Sequence, residues 1–216
     1  MIDILFPKLH KEGYRFLAIA VAVTFILLLI SNFFGVISFI ITIWIYYFFR
    51  DPERFSINDK NYLVSPADGV ISQVTEVNGP IELGLEKRKF KRVSIFMNIF
   101  DCHVNRVPCH GKISQIFYKP GKYINASFDK ASDENERNYV KMKSPNGEEL
   151  ILVQIAGLIA RRIVCDVKEN EEIEQGDKFG MIRFGSRVDL YFENYQIMVR
   201  QNQKTVAGET IIAKKN

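Results

Sequence analysis

The stretch Leu150-Ile151-Leu152-Val153-Gln154 is an apolar run with one polar residue at its end. It is rich in branched aliphatic side chains and follows the turn-forming Pro145-Asn146-Gly147, so it predicts a β-strand. Similar short runs occur elsewhere in the chain, at residues 70–74, 92–97, 112–116, 163–167, 179–184, 188–192 and 197–199. Because helical periodicity is scarce after residue 61, this series predicts a mainly β domain of barrel or sandwich type.

A run of 34 residues, from 16 to 49, contains no charged side chain. It is longer than the apolar core of a signal peptide, which spans about 7–15 residues. One straight helix of this length would be roughly 50 Å long, whereas a hydrocarbon core is only about 30 Å thick. The break Ser31-Asn32-Phe33-Phe34-Gly35 divides the run into residues 16–30 and 36–49. The sequence therefore predicts two short apolar helices.

Basic residues flank both ends of this apolar run: Lys8, Lys11 and Arg15 precede it, and Arg50 and Arg54 follow it. Positive charge marks the cytoplasmic side of a membrane segment, so both ends are predicted to lie on that side. A helical membrane hairpin, either re-entrant or thinly spanning, satisfies this condition. We therefore expect the chain at the cytoplasmic side of the cell membrane. A single tilted span and a buried helix pair of a soluble protein are the alternatives.

The net charge of +4 and the pI of about 8.9 are mild. No basic stripe with interleaved aromatic residues is present, which argues against nucleic acid as a partner, whereas an anionic lipid surface suits this balance. Three cysteines without a C-x-x-C motif argue against a disulfide framework. Metal binding is also disfavoured, because Cys102-His103 and Cys109-His110 are adjacent pairs whose members would point to opposite faces of a strand.

Ser186 is a candidate nucleophile, because its hydroxyl follows Gly185 and could attack that residue's carbonyl. A serine nucleophile needs a base, which is most often histidine. Of the three histidines, one precedes the apolar run and one lies in a turn-like segment, which leaves His103. Asp68 could orient such a histidine, as in a Ser-His-Asp arrangement. Arg161 and Arg162 form a basic pair whose guanidinium groups match phosphate geometry. Each of these residues, taken alone, also fits an ordinary structural role.

The order of the motifs is more specific than any one of them. Along the chain they are Phe48-Phe49-Arg50-Asp51-Pro52-Glu53-Arg54, Ser65-Pro66-Ala67-Asp68-Gly69, Asp101-Cys102-His103-Val104-Asn105-Arg106-Val107-Pro108, Gln154-Ile155-Ala156-Gly157-Leu158-Ile159-Ala160-Arg161-Arg162-Ile163 and Phe184-Gly185-Ser186-Arg187. This series resembles the phosphatidylserine decarboxylase family, in the short form found in bacteria and archaea. The resemblance covers residues 48–189, and the N-terminal apolar segment matches as well.

The resemblance implies a proenzyme that cleaves itself between Gly185 and Ser186. Residues 1–185 would become the β chain and residues 186–216 the α chain, and the two chains would remain associated. Ser186 would become a pyruvoyl cofactor that decarboxylates phosphatidylserine, a phospholipid of the membrane, to phosphatidylethanolamine. The family's pattern assigns catalytic roles to Asp68 and His103. The long forms carry a second histidine where Arg106 stands here, which leaves open whether His103 alone serves both cleavage and decarboxylation. Arg106 joins the arginine pair 161–162 as a candidate phosphate contact.

Two domains follow from these observations, a membrane anchor over residues 1–55 and a pyruvoyl-dependent decarboxylase domain over residues 56–216. A non-catalytic carrier module of the lipoyl or biotinyl type is one rival, but it needs a lysine where the predicted hairpin tip has Gly185-Ser186. A membrane-anchored serine hydrolase using Ser186, His103 and Asp68 is the other rival, and it would stay one chain. The sequence leaves open whether the lipid has an ester or an ether backbone, and whether the chain forms a homo-oligomer.

Overall fold

The structure is a computed structural model that describes residues 6–123, 134–157, 162–183 and 186–216. Two of the predicted site residues, Gly185 and Arg161, lie outside these described residues. The chain divides into two compact units, of which the first ends at Glu53 and the second begins at Arg54.

The N-terminal unit is a pair of apolar helices, α1 (Tyr14–Ile30) and α2 (Asn32–Phe48), preceded by a 3-10 helix over Lys11–Gly13. Strand β1 (Lys8–Leu9) pairs with β2 (Arg50–Asp51) in antiparallel fashion, so the two ends of the helix pair meet. The apolar helix pair is confirmed.

The predicted break between the helices is too long. Ser31 alone separates them, with an extended backbone at φ −160° and ψ 128°. Asn32 begins α2, and the backbone N–H of Gly35 donates to the carbonyl of Ser31 at 2.9 Å. A Cβ on Gly35 would lie 2.3 Å from a side-chain carbon of Leu28. Gly35 therefore allows the two helices to approach closely and does not break the second one.

Three hydroxyl groups lie buried between the helices. Thr24 Oγ1 is 2.8 Å from Ser38 Oγ and 2.9 Å from Thr42 Oγ1. The outward surface, by contrast, is apolar, with large exposed side chains that include Ile19, Phe25, Leu29, Ile30, Phe33, Phe39 and Ile40. The helical segment Lys11–Ile30 has a mean hydropathy of 2.3 and is long enough to cross a membrane, and α2 is a shorter apolar helix. Paired hydroxyls inside and apolar side chains outside are the arrangement expected of helices that pack together in lipid.

The C-terminal unit is built almost entirely of strands. They are β3 (Tyr62–Val64), β4 (Gly69–Asn78), β5 (Lys89–Met97), β6 (Val104–Arg106), β7 (Gly111–Lys119), β8 (Arg137–Lys143), β9 (Glu149–Ile155), β10 (Arg162–Cys165), β11 (Glu172–Ile173), β12 (Lys178–Arg183), β13 (Ser186–Phe192), β14 (Tyr195–Ile197), β15 (Lys204–Thr205) and β16 (Ile211–Lys215). Eight strands form one antiparallel sheet in the order β11-β7-β8-β9-β13-β5-β4-β15. Two smaller sheets, β10-β12-β6 and β14-β16-β3, complete the unit. The predicted mainly β fold of barrel or sandwich type is confirmed.

The apolar run of β9 serves both faces of the large sheet. Leu150 and Leu152 belong to the main core, which also includes residues of both small sheets. Ile151 and Val153 belong to a second apolar cluster, as do Phe90 and Tyr191. Since successive side chains of a strand alternate between faces, a continuous apolar run is what a strand covered on both sides requires.

The polar composition of residues 129–138 predicts a long loop, and the last part of this prediction is wrong. Strand β8 begins at Arg137, and Arg137 and Asn138 are only 7% and 3% exposed. The polar residues at this end of the segment are buried, as is Asn135, whose side chain donates to the carbonyl of Ala156 at 2.7 Å. The sequence alone does not distinguish a buried amide side chain that has its hydrogen-bond partners from an amide side chain in an exposed loop.

We expect Gly69→Ala to destabilise the C-terminal unit by about 3 kcal/mol. Gly69 has a φ of +147°, and a Cβ there would lie 2.2 Å from the carbonyl oxygen of Phe96. Gly84 provides a matched control, because its φ is +68° but no atom lies within 4 Å of the point that a Cβ would occupy there. Gly84→Ala should cost only about 1 kcal/mol. Urea unfolding of the two variants measures the difference, and equal losses would refute the close approach at Gly69.

Candidate active site

Ser186 is the first residue of β13, and it is completely buried. Its backbone lies opposite Met97, the last residue of β5. The Ser186 hydroxyl points to the thioether of Met97, with 4.0 Å between Oγ and Sδ. A thioether sulfur is a weak acceptor, so this contact orients the hydroxyl without holding it firmly. The Ser186 hydroxyl is thus buried, and its contact with Met97 is a weak hydrogen bond.

His103 lies just before β6 and is also completely buried. Its Nδ1 is 3.0 Å from the carbonyl oxygen of Asp101. A carbonyl only accepts hydrogen bonds, so Nδ1 carries the proton in this contact and the lone pair of the neutral ring is on Nε2. The carbonyl of His103 accepts from the backbone N–H of Ile182 at 3.4 Å. This bond links the histidine to the end of β12, a few residues before Ser186.

Asp68 directly precedes β4, and both of its carboxylate oxygens accept hydrogen bonds. Arg54 Nη2 donates to Oδ2 at 2.8 Å, and the backbone N–H of Ala207 donates to Oδ1 at 2.8 Å. The side chains of this ion pair are 16% and 13% exposed for Arg54 and Asp68. The carboxylate is therefore fixed in orientation by a partly buried cation and a backbone amide.

Backbone pairing brings the three motifs to one end of the large sheet. Strand β5 lies between β4 and β13, with Val70 and Arg187 on either side of Phe96. The residues just before these two positions are Gly69 and Ser186. The His103 segment joins the same region, because the backbone N–H of Arg106 donates to the carbonyl of Pro66 at 2.9 Å. Ser186, His103 and Asp68 thus come from distant parts of the chain to the same region.

The predicted phosphate-binding arginines are placed differently from one another. Arg106 is 7% exposed, and its Nη1 donates to the carbonyl of Gly176 at 2.8 Å. Arg162 begins β10 and is exposed, opposite Arg183 of β12. The phosphate role of these arginines stays a prediction.

Two side chains near Ser186 are not among the predicted site residues. Asn105, in the His103 motif, donates from Nδ2 to Met97 Sδ at 3.6 Å. Gln154, in the motif that begins at the end of β9, donates from Nε2 to Asn105 Oδ1 at 2.9 Å. Both are completely buried. The sequence carries one signal for Gln154, since it is the one polar residue in an otherwise apolar run.

Two of the three cysteines, Cys109 and Cys165, are poor nucleophiles as they stand. Burial raises the pKa of the Cys109 thiol to about 12, and burial also raises the pKa of Cys165. Both thiols are therefore protonated at neutral pH, whereas the thiolate is the reactive and metal-binding form. Nδ1 of the neighbouring His110 contacts a carboxylate oxygen of Glu174. The catalytic roles of Ser186, His103 and Asp68 stay predictions.

Comparison with known proteins identifies the family of the chain. The family model described as phosphatidylserine decarboxylase matches residues 41–213. A phosphatidylserine decarboxylase proenzyme of Pelagibacter ubique (strain HTCC1062) is 64% identical over 215 residues, which cover 100% of both chains. The proenzyme of Rickettsia typhi (strain ATCC VR-144 / Wilmington) is 50% identical over 97% of this chain and 91% of its own. That of Cereibacter sphaeroides (strain ATCC 17025 / ATH 2.4.3) is 47% identical over 99% of this chain and 92% of its own. The chain belongs to the phosphatidylserine decarboxylase family.

Proposed function

We propose that this chain is a proenzyme that cleaves itself at Ser186 and then decarboxylates phosphatidylserine to phosphatidylethanolamine at a membrane surface. The observation that carries the proposal is the buried Ser186 at the start of β13, in a family whose relatives are named proenzymes. Ser186, His103 and Asp68 are the proposed catalytic residues. The proposed domains are the anchor of residues 1–55 and the catalytic domain of residues 56–216.

The strand order supports a cut between Gly185 and Ser186 that leaves the two chains together. Strand β12 belongs to a small sheet and β13 to the large one, so the cut separates no pair of bonded strands. After the cut, β13 would still be bonded on both sides, to β5 and β9. The later strands β15 and β16 pair with β4 and β3, which lie in the first chain. The chain of residues 186–216 would therefore stay bound.

The proposed cleavage balances without an oxidant. The Ser186 hydroxyl attacks the carbonyl carbon of Gly185, the peptide C–N bond breaks, and the hydroxyl proton passes to the freed amine through His103 Nε2. In the resulting ester a base removes the Cα proton of residue 186 and the Cβ–O bond breaks, so that Gly185 leaves as the C-terminal carboxylate of the first chain and residue 186 becomes a dehydroalanine, which is an enamine. One water hydrolyses the remaining enamine, which releases ammonia and leaves a pyruvoyl group as the N-terminus of the second chain. During these steps Asp68 would keep the fixed orientation that Arg54 and the backbone N–H of Ala207 give to its carboxylate.

The surroundings of Ser186 fit a pyruvoyl group. The position is fully buried, and the group it meets is the uncharged thioether of Met97. A pyruvoyl carbonyl at this place supplies an electron sink for the electron pair released when carbon dioxide departs. His103 would return a proton to the α-carbon of the substrate from Nε2, the ring being held by the carbonyl of Asp101.

The proposed function is tested with phosphatidylserine labelled in the serine carboxyl, presented in mixed micelles to the full chain. Labelled carbon dioxide should be released, and borohydride treatment of the enzyme beforehand should abolish release, because it reduces a pyruvoyl carbonyl. A labelled free serine control should give no release. Activity that survives borohydride would rule out the pyruvoyl group, and the absence of release from a processed enzyme would rule out the substrate.

We also propose that both ends of the helix pair lie on the cytoplasmic face of the membrane, because β1 and β2 pair and basic residues flank both ends. The variants Lys11→Cys and Phe55→Cys should be labelled by an impermeant maleimide from the same side of sealed, oriented vesicles. Peptide masses separate these sites from the native cysteines, and detergent-treated vesicles give the full labelling. Labelling from opposite sides would mean a single span.

A further inference from the structure

A chain of buried amides crosses the core and ends at Ser186. Asn138 Nδ2 donates to Gln154 Oε1 at 3.0 Å, and Gln154 Nε2 donates to Asn105 Oδ1 at 2.9 Å. Asn105 Nδ2 then donates to Met97 Sδ at 3.6 Å, and the same sulfur accepts from Ser186 Oγ at 4.0 Å. The exposed fraction is 3% for Asn138 and 0% for each of the other four residues.

The members come from five strands that only the fold brings together. Asn138 belongs to β8, Gln154 to β9, Asn105 to β6, Met97 to β5 and Ser186 to β13. The amide chain therefore joins three of the sequence motifs, those of His103, of Gln154 and of Ser186, into one unit. The amide side chains in these motifs have no role in a mechanism that uses only Ser186, His103 and Asp68.

All three amides donate in the same direction, towards the serine. An amide has a donor end and an acceptor end, so turning one of them would place two donors or two acceptors face to face in the core. Buried polar groups without partners are costly, and the chain thus has one satisfied orientation. In that orientation Asn105 presents N–H groups to Met97 and fixes the sulfur against the Ser186 hydroxyl.

We propose that Asn105 and Gln154 are positioning residues that hold the Met97 sulfur in place and thereby orient the Ser186 hydroxyl for attack on Gly185. Gln154 sets the direction of Asn105, and Asn138 sets that of Gln154. The proposal rests on the self-cleavage proposed above, and it assigns these amides to the first step, before the ester forms.

The test follows the cleavage of freshly synthesised full chain by denaturing electrophoresis. Gln154→Leu removes the bonds to Asn105, to Asn138 and to the carbonyl of Val164 at similar side-chain volume. It should slow cleavage about tenfold, which corresponds to about 1.4 kcal/mol and to the contribution of one buried hydrogen bond. Gln154→Glu is the conservative variant, since a protonated carboxyl donates to Asn105 in the same direction. Its cleavage should be faster than that of Gln154→Leu and should fall as the pH is raised and the carboxyl ionises. Hydroxylamine, which cleaves an accumulated ester, should not rescue Gln154→Leu.

Gln175→Leu is the matched control. Gln175 is 7% exposed and donates to the carbonyls of Tyr62 and Pro108 at 2.8 and 3.2 Å, so its loss also breaks buried amide bonds. It should cleave at the wild-type rate. Equal slowing of both leucine variants, or wild-type cleavage by Gln154→Leu, would overturn the positioning role. Failure of the wild-type chain to cleave in the same assay would instead overturn the proposed function.

Discussion

Ser186→Ala should leave a single uncut chain of 216 residues that releases no carbon dioxide from phosphatidylserine. Alanine has no hydroxyl to attack the carbonyl of Gly185, and without the cut no pyruvoyl group can form. The expected loss is complete for both cleavage and decarboxylation, because decarboxylation depends on the group that cleavage creates. Denaturing electrophoresis and release of labelled carbon dioxide measure the two effects on the same preparation.

Ser94→Ala is the control for this substitution. Ser94 is another completely buried serine of the same sheet, on β5 opposite Asp189 of β13. Its hydroxyl has no hydrogen-bond partner among the described residues, so its removal should cost little stability. This variant should cleave and turn over as the wild type does. Cleavage of Ser186→Ala at residue 185 would exclude the serine as the nucleophile.

His103→Ala should slow cleavage and should also reduce the decarboxylation carried out by whatever fraction becomes cleaved. General acid–base groups contribute about 10²- to 10⁴-fold, so both defects should be large. The physical reason is that the Asp101 carbonyl orients the ring through Nδ1, and the proposed proton transfer uses Nε2. The measurements are the half-time of cleavage and the carbon dioxide released per cleaved chain.

Two further variants separate this role from a loss of folding. His103→Gln retains an amide that can donate to the Asp101 carbonyl but cannot transfer protons as imidazole does, so it should fold and remain defective. His110→Ala removes the histidine that pairs with Glu174, and it should leave both steps unchanged. Rapid cleavage and near-normal turnover by His103→Ala would contradict the proposal and shift the proton transfer to Asp68.

The sequence predicts the architecture of this chain better than it predicts the neighbours of the catalytic serine. Short apolar runs such as that of β9 are local signals, and they correctly indicate a mainly β unit. The long uncharged run of residues 16–49 correctly indicates two apolar helices. The break before α2 is misplaced because Gly35 allows close approach to Leu28, which is a property of packing between helices. The local sequence around a glycine does not show whether another helix will pack closely against it.

The neighbours of the proposed catalytic residues also cannot be predicted from local sequence. Asp68 and Ser186 lie at the same end of the sheet through the register of β4, β5 and β13, and residues 118 positions apart give no local pattern for that register. Gln154 is visible in the sequence as a polar residue within an apolar run. Its partner Asn105 is 49 positions away, so the bond between them follows only from the fold.

The most direct test of the central claim is the intact mass of the purified, active wild-type protein under denaturing conditions. We expect two chains, of residues 1–185 and 186–216, and the 31-residue chain should carry the mass of a pyruvoyl group in place of its N-terminal serine. Under native conditions the two chains should elute together, because β13 is bonded to β5 and β9. An active preparation that consists of one intact chain of 216 residues would contradict self-cleavage at Ser186.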